Sequence, residues 1–332
     1  MKKLYLIFFI TFIILISASC GNETAPVLAG AIGTVNEEPI DETVVQANVP
    51  VTENTTSASA SGPDSLGSNP ASGNEPAAIG DTAYGMLIPD QIKHLPYYYP
   101  EKSRRYVEYT RLNPLLGYDK AIIYVNIGLD RPFYSDVATI ADPDRIDVLV
   151  NKYNKLPDDY EPQLEELPAN PVARGAGRQF LRPEAKEAFI RMHTDAKELG
   201  LDITAFGTYR SIPLQHDIWN RKVNSGKSIE DVDRLNAREG HSEHHTGLAI
   251  DVIKNNYSVE NTREFEWYRE NAHKYGFIIR YPKDCEHITG YRYEPWHLRY
   301  LGEDLANAVY ESGLTYDEYY AVYIEPATSA QP

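Results

Sequence analysis

The chain has 332 residues, with 32 Lys and Arg against 48 Asp and Glu, and a formal net charge of -16. This acidic balance argues against nucleic acid as a partner, because phosphate binding needs clustered Lys and Arg. Its two cysteines are too few for a disulfide framework or a thiolate zinc cage. Any bound metal must therefore be held by histidines and carboxylates.

The first twenty residues have the features of an export signal. Lys2 and Lys3 precede an apolar run of 13 residues, Leu4 to Ile16, which is short for a membrane span of about 20 residues. Small residues then lead to Cys20. This pattern resembles a bacterial lipoprotein signal, which implies cleavage after residue 19, a lipid on Cys20 and anchoring to the outer face of the bacterial cell membrane. A plain secretory signal with a coincidental cysteine is the alternative.

Two segments separate this signal from the region with recognisable chemistry. Residues 21–85 contain nine acidic residues and no Lys or Arg, so 20–85 is predicted to be a disordered acidic linker. Residues 86–146 are rich in tyrosine and punctuated by proline, and short helices are predicted over 101–112 and 119–127. This Tyr-rich lead-in is expected to pack on the main domain.

Helices and short strands follow one another irregularly over 147–305. A helix is predicted to begin at Pro183 and to end just before Gly200, because its apolar positions from Ala185 to Leu199 repeat at intervals of 4, 3, 4 and 3. Short strands are predicted over 203–206, 248–253, 277–281 and 297–301. These elements predict an α+β fold with a small antiparallel or mixed sheet flanked by helices. A C-terminal helix and tail are expected over 306–332.

Two short motifs concentrate imidazole and carboxylate groups. The first is GHSEHHTGLAID at 240–251, and the second is EPWH at 294–297. These are the ligand types that zinc takes where thiolates are absent. Asp251 falls within a predicted strand, where an unpaired carboxylate would be costly and a metal ion would compensate it. Each residue alone is more often a structural polar group, so it is their joint occurrence that predicts a metal site.

The motifs resemble those of VanY-like D-alanyl-D-alanine carboxypeptidases and the related L,D-carboxypeptidases. The family pattern Ser-x-His-x-x-Gly-x-Ala-x-Asp matches 242–251, and Glu-Pro-Trp-His matches 294–297. A third motif, TYRS at 208–211 followed by Gln215, fits as well. The resemblance implies a peptidase with one zinc per chain, which removes the C-terminal D-alanine from peptidoglycan stem peptides. Because of its signal we expect this peptidase to be exported, and we expect it to be monomeric.

The resemblance also implies roles for single residues. Zinc would be held by His244, Asp251 and His297. Glu294 would be the general base, taking a proton from an activated water and passing it to the leaving amine. Arg210 would stabilise the oxyanion and dock the terminal carboxylate of the substrate. The substrate-binding group would also include Ser211, Gln215 and Ser242.

Two geometric expectations accompany these roles. Glu294 and His297 are three residues apart, and a straight strand would point them to opposite faces. A turn or bulge at 295–296 is therefore needed to bring both side chains to the metal. His245 is the rival of His244 as a ligand; the family spacing favours His244 and places His245 at the rim or behind the ligands.

Other functions share part of this pattern. Non-haem iron oxygenases also use two histidines and a carboxylate, but usually with His and Asp two residues apart, whereas His244 and Asp251 are seven apart. A non-catalytic wall-binding lipoprotein would be expected to have lost Glu294 or a ligand. A peptidoglycan endopeptidase of the same zinc fold stays open, as does the choice between D,D- and L,D-cleavage, because both depend on the shape of the pocket.

Overall fold

The computed structural model describes residues 81–329. The predicted signal, Cys20 and nearly all of the predicted linker lie outside the described residues. Within 81–329, none of the helices combines the length and the apolar character needed to cross a bilayer.

A four-stranded antiparallel sheet forms the centre of the main domain. Its strands are β5 (Ala205–Gly207), β6 (Ala249–Val252), β7 (Phe277–Ile279) and β8 (His297–Tyr300), in the spatial order β5-β6-β8-β7. Every residue of β6 and β8 is buried, because helices and loops cover both faces of the sheet. The predicted α+β fold with a small sheet flanked by helices is confirmed.

Helix α5 (Pro183–Glu198) is the main helix packed on this sheet. Phe189 and Met192 on its inner face join Ile250 and Leu298 of the sheet in one apolar core. The predicted stripe extends one position too far, since Leu199 is the residue that ends the helix and is 57% exposed.

The remaining helices of the main domain surround the sheet. They are α6 (Ile212–Asn224), α7 (Ile229–Leu235), α8 (Arg263–Asn271) and α9 (Glu286–Thr289), with single 3-10 turns over Glu243–Thr246, Tyr257–Asn261 and Ala272–Tyr275. Hydroxyl side chains cap the N-termini of three of these helices: Ser211, Ser228 and Thr262 each accept a hydrogen bond from a backbone N–H of the first turn. Two small strand pairs lie outside the central sheet: β1 (Ala138–Thr139), at the end of the lead-in, pairs with β2 (Asn154–Lys155), and β3 (Glu165–Glu166) pairs with β4 (Phe180–Leu181).

The lead-in and the end of the C-terminal segment pack against each other. The lead-in contains α1 (Asp81–Gly85), α2 (Asp90–Lys93), a 3-10 turn (Pro100–Lys102), α3 (Ser103–Leu112) and α4 (Tyr118–Ile127). The C-terminal segment contains α10 (Glu303–Ser312), α11 (Tyr316–Tyr319), a π-turn (Tyr320–Ile324) and α12 (Glu325–Ser329). Side chains from both segments, such as Ile122 and Val322, share one apolar cluster.

Two predicted boundaries differ from the structure. Helix α1 occupies 81–85, the last five residues assigned to the disordered linker, because it packs against α3. The C-terminal helix begins at Glu303 rather than near residue 306, because Gly302 adopts a φ of 80° and turns the chain out of β8.

Candidate metal centre and catalytic cavity

His244, Asp251 and His297 converge at one point of the sheet. Their candidate ligand atoms all lie within 4.8 Å of one another, and all three residues are buried. The Nε2 atom of His244 is 3.5 Å from Oδ2 of Asp251, and Nδ1 of His297 is 3.3 Å from Oδ1 of Asp251. Asp251 Oδ1 has no hydrogen-bond partner among the described residues although it is buried. Two imidazoles and an unsatisfied carboxylate oxygen fit a metal ion of the zinc type.

The strand register and one glycine create this convergence. Asp251 in β6 lies directly opposite His297 in β8. Gly247 ends the turn that carries His244 and has a φ of 68°. A Cβ at this position would lie 2.7 Å from Leu164 Cδ2 and 3.2 Å from the backbone nitrogen of Arg182. Only glycine combines this backbone conformation with this close approach.

Each histidine is oriented through the nitrogen that faces away from the centre. Nδ1 of His244 lies 2.7 Å from the carbonyl oxygen of Thr208, which assigns the proton to Nδ1 and leaves Nε2 free to bind a metal. His297 uses its nitrogens in the opposite sense: Nδ1 faces Asp251, and Nε2 lies 3.4 Å from Oε2 of Glu243.

The ionisable groups at the centre strongly shift one another's pKa. Burial would raise the pKa of Asp251, but the neighbouring His244 and His297 hold it well below its usual range. Burial would lower the pKa of His297, but the nearby carboxylates of Asp251 and Glu243 prevail and raise that pKa to about 9. A metal ion would therefore replace a proton at His297.

The turn expected at 295–296 is present and brings Glu294 to the centre. The backbone nitrogen of His297 donates to the carbonyl of Glu294 at 3.2 Å, which closes the turn. The hydroxyl of Tyr268 donates to the carbonyl of Pro295 at 2.5 Å and holds the turn from the core side. As a result, Oε2 of Glu294 lies 3.5 Å from Nδ1 of His297.

Arg210 lies in the same cavity and is held from two sides. Its Nη1 donates to Oε1 of Gln215 at 2.8 Å, and Nε2 of Gln215 donates to the carbonyl of Ala237 at 2.7 Å. The ring nitrogen Nδ1 of His245 lies 2.6 Å from the backbone carbonyl of Arg210. His245 thus lies behind Arg210 and is not one of the three converging ligand residues, and burial lowers its pKa to about 3.

The other predicted substrate-binding residues take different positions. Ser242 lines the cavity with Arg210, Gln215 and Glu294. Ser211 does not line it; its hydroxyl begins α6 by accepting from the backbone nitrogen of Leu214 at 3.4 Å. Both polar groups of the Gln215 amide are used to hold Arg210 and the chain at Ala237. The contacts of these residues with substrate stay predictions.

Glu243 is the residue of this site that sequence reasoning did not single out. Its carboxylate is fully buried, and its Oε1 accepts from Arg280 Nε and from Arg299 Nη1, both at 2.8 Å. Burial would raise its pKa, but these two arginines hold it well below its usual range. The signal available in the sequence was its place inside the 240–251 motif, directly before His244.

Comparison with known proteins supports the reading of this site. Residues 178–303 match the VanY family, described as D-alanyl-D-alanine carboxypeptidase. The putative carboxypeptidase YodJ of Bacillus subtilis is 37% identical over 206 residues, which cover 58% of this chain and 75% of that protein. The chain belongs to the VanY family. The family that the sequence motifs alone predicted is confirmed.

Two further proteins are similar to this chain over about half of its length. A D-alanyl-D-alanine carboxypeptidase of Enterococcus faecalis is 32% identical over 181 residues, covering 52% of this chain and 64% of that protein. The solved structure of the LdcB LD-carboxypeptidase is 38% identical, covers 57% of this chain and 91% of that chain, and has a TM-score of 0.53. These relatives include both a D,D- and an L,D-enzyme, so family membership establishes a carboxypeptidase without choosing between the two bonds.

Proposed function

We propose that this protein is a zinc carboxypeptidase that removes the C-terminal D-alanine from peptidoglycan stem peptides. The observation that carries the proposal is the convergence of His244, Asp251 and His297 with Glu294 and Arg210 on one cavity. A metal centre, a carboxylate beside it and a guanidinium together supply what metal-assisted hydrolysis of a C-terminal peptide bond needs: an activated water, a proton acceptor and a group that binds the terminal carboxylate.

Zinc is the metal that suits this donor set. Two imidazoles and one carboxylate are typical of catalytic zinc sites, which keep one position open. When bound, zinc polarises the scissile carbonyl and lowers the pKa of water in the site. Glu294 then receives the proton of the attacking water and passes it to the leaving amine. Its distance of 3.5 Å from His297 Nδ1 places it beside the ligands.

Arg210 supplies the selectivity for a chain end. Its planar guanidinium can bind a carboxylate through two parallel hydrogen bonds. Gln215 occupies Nη1 and so fixes the plane of the guanidinium. Arg210 therefore favours cleavage beside a free terminal carboxylate over cleavage within a peptide.

Muropeptide mass spectrometry tests the activity and identifies the bond. The purified chain lacking residues 1–19 is incubated with pentapeptide and tetrapeptide muropeptides. Loss of one D-alanine from either substrate is expected and assigns D,D- or L,D-specificity. Cleavage only at internal bonds would replace this proposal with an endopeptidase, and no cleavage of any muropeptide would contradict a hydrolase.

We also propose that the protein is anchored to the outer face of the cell membrane through a lipid on Cys20. The support is the sequence alone: an apolar run from Leu4 to Ile16 that leads to this cysteine. Labelling with a radioactive fatty acid should mark the wild-type chain but not Cys20→Ser. Equal labelling of the two would contradict the anchor, and secretion of the unlabelled wild type would indicate a plain signal peptide.

A further inference from the structure

Four buried charged side chains connect the metal centre to the C-terminal segment. Glu243, Arg280, Arg299 and Asp317 are all at most 1% exposed at the side chain. Two are positive and two are negative, so the set is neutral overall. We propose that Asp317, which lies outside the region matched by the family, is a positioning residue that holds Glu243 against the metal ligand His297.

The first link joins Glu243 to His297. Oε2 of Glu243 and Nε2 of His297 are 3.4 Å apart, and neither atom has a hydrogen-bond partner elsewhere among the described residues. Each is therefore the partner available to the other. A carboxylate behind a metal-binding imidazole fixes the orientation of its ring and makes the ring a stronger ligand.

The second link joins Glu243 to two arginines through its other oxygen. Oε1 accepts from Arg280 Nε and Arg299 Nη1, each at 2.8 Å. The Nη2 atom of Arg299 already donates to the carbonyls of Ile146 and Val148, which fixes the orientation of this guanidinium. The buried Nη2 atom of Arg280, in contrast, has no hydrogen-bond partner within residues 81–329.

The third link is Asp317 in α11. Its Oδ2 accepts from Arg280 Nη1 at 2.6 Å, and its Oδ1 accepts from the side-chain amide of Asn151 at 2.9 Å. The family match ends at residue 303, so this carboxylate comes from a part of the chain that the family comparison does not cover.

Asp317 controls how Arg280 is turned. The Nε and Nη2 edge of a guanidinium can bind both oxygens of one carboxylate. Without Asp317, Nη2 of Arg280 is free to donate to Oε2 of Glu243. That oxygen would then no longer be available as the partner of His297. By holding Nη1, Asp317 keeps Arg280 on Oε1 alone. The expected consequence of its removal is a misoriented His297 and weaker metal binding.

Zinc affinity, measured by competition with a chromophoric chelator, tests this inference. Glu243→Gln should weaken zinc binding about 10–100-fold, and Asp317→Asn should weaken it about tenfold in the same direction. The double variant should bind zinc no more weakly than Glu243→Gln alone, because both changes act on the same interaction, the one between Glu243 and His297. The visible spectrum of the cobalt-substituted protein should change in both single variants.

Glu318→Gln is the matched control. Glu318 is a buried carboxylate on the same turn, and it bonds to the backbone nitrogen and hydroxyl of Thr315. Its neutralisation removes the same charge without touching Arg280, so zinc affinity and the cobalt spectrum should match the wild type. Equal zinc affinity in Asp317→Asn and Glu318→Gln would overturn the inference.

A further variant covers the case in which Asp317→Asn fails to fold. If Asp317→Asn does not fold, Asp317→Glu keeps the charge but displaces the carboxylate, and it should still bind zinc more weakly than the wild type. Wild-type affinity in Asp317→Glu would then overturn the inference.

The inference rests on the proposed zinc site, and the wild type separates the two proposals. A wild type that binds no zinc contradicts the proposed function. A wild type that binds zinc, together with variants of unchanged affinity, contradicts only the role of Asp317.

Discussion

At the scale of single residues, Glu294 separates proton transfer from metal binding. Its carboxylate lies beside His297 but outside the three atoms that converge on the metal centre. Glu294→Gln should therefore keep zinc and lose about 10²–10⁴ in kcat, the usual contribution of a general base. His297→Ala is the companion variant and should lose both zinc and activity. Near wild-type kcat in Glu294→Gln would assign the base to another residue.

Arg210 tests the recognition of a chain end. Arg210→Lys keeps the charge but loses the planar pair of donors and the contact with Gln215. We expect kcat/KM for a free D-alanine terminus to fall about 10–100-fold, which corresponds to one charge-assisted hydrogen bond of about 1.5–3 kcal/mol. The same measurement on a substrate with an amidated terminus should give a very low rate with the wild type. Equal rates on free and amidated termini would contradict this role and favour an endopeptidase.

At the scale of elements, the turn at Gly247 sets the position of His244. Gly247→Ala must adopt a φ of 68° and place a methyl group 2.7 Å from Leu164. We expect a loss of about 2–4 kcal/mol in the free energy of unfolding, measured by urea denaturation. Gly226→Ala is the control, because Gly226 has a φ of 90° with no atom within 4 Å of the added Cβ. It should cost only about 1 kcal/mol, and equal losses would mean that the close approach at Gly247 has no energetic weight.

At the scale of the whole molecule, the lead-in and the C-terminal segment stabilise each other through a shared core. Ile122 of α4 is fully buried in the cluster that includes Val322. Ile122→Ala should cost about 2–5 kcal/mol of unfolding free energy, since it leaves a cavity. Leu115 is 92% exposed, so Leu115→Ala should be close to neutral in the same urea titration. A neutral Ile122→Ala would show that this shared core contributes little to stability.

The sequence predicted the parts of the molecule that depend on local pattern. The strands, the helix at α5 and the turn at 295–296 follow from period, caps and the spacing of Glu294 and His297. The role of Glu243 does not follow, because its partners Arg280 and Arg299 are 37 and 56 residues away, and chain folding alone brings them together. The contact of Arg280 with Asp317 depends on how α11 packs, which no local motif encodes.

Zinc titration of the metal-free enzyme tests whether activity depends on the proposed metal centre. The chain lacking residues 1–19 is stripped with a chelator, and release of D-alanine from stem peptides is followed as zinc is added back. We expect no activity without metal and a linear rise that ends at one zinc per chain, as set by His244, Asp251 and His297. Full activity in a chain shown by elemental analysis to be metal-free would contradict it.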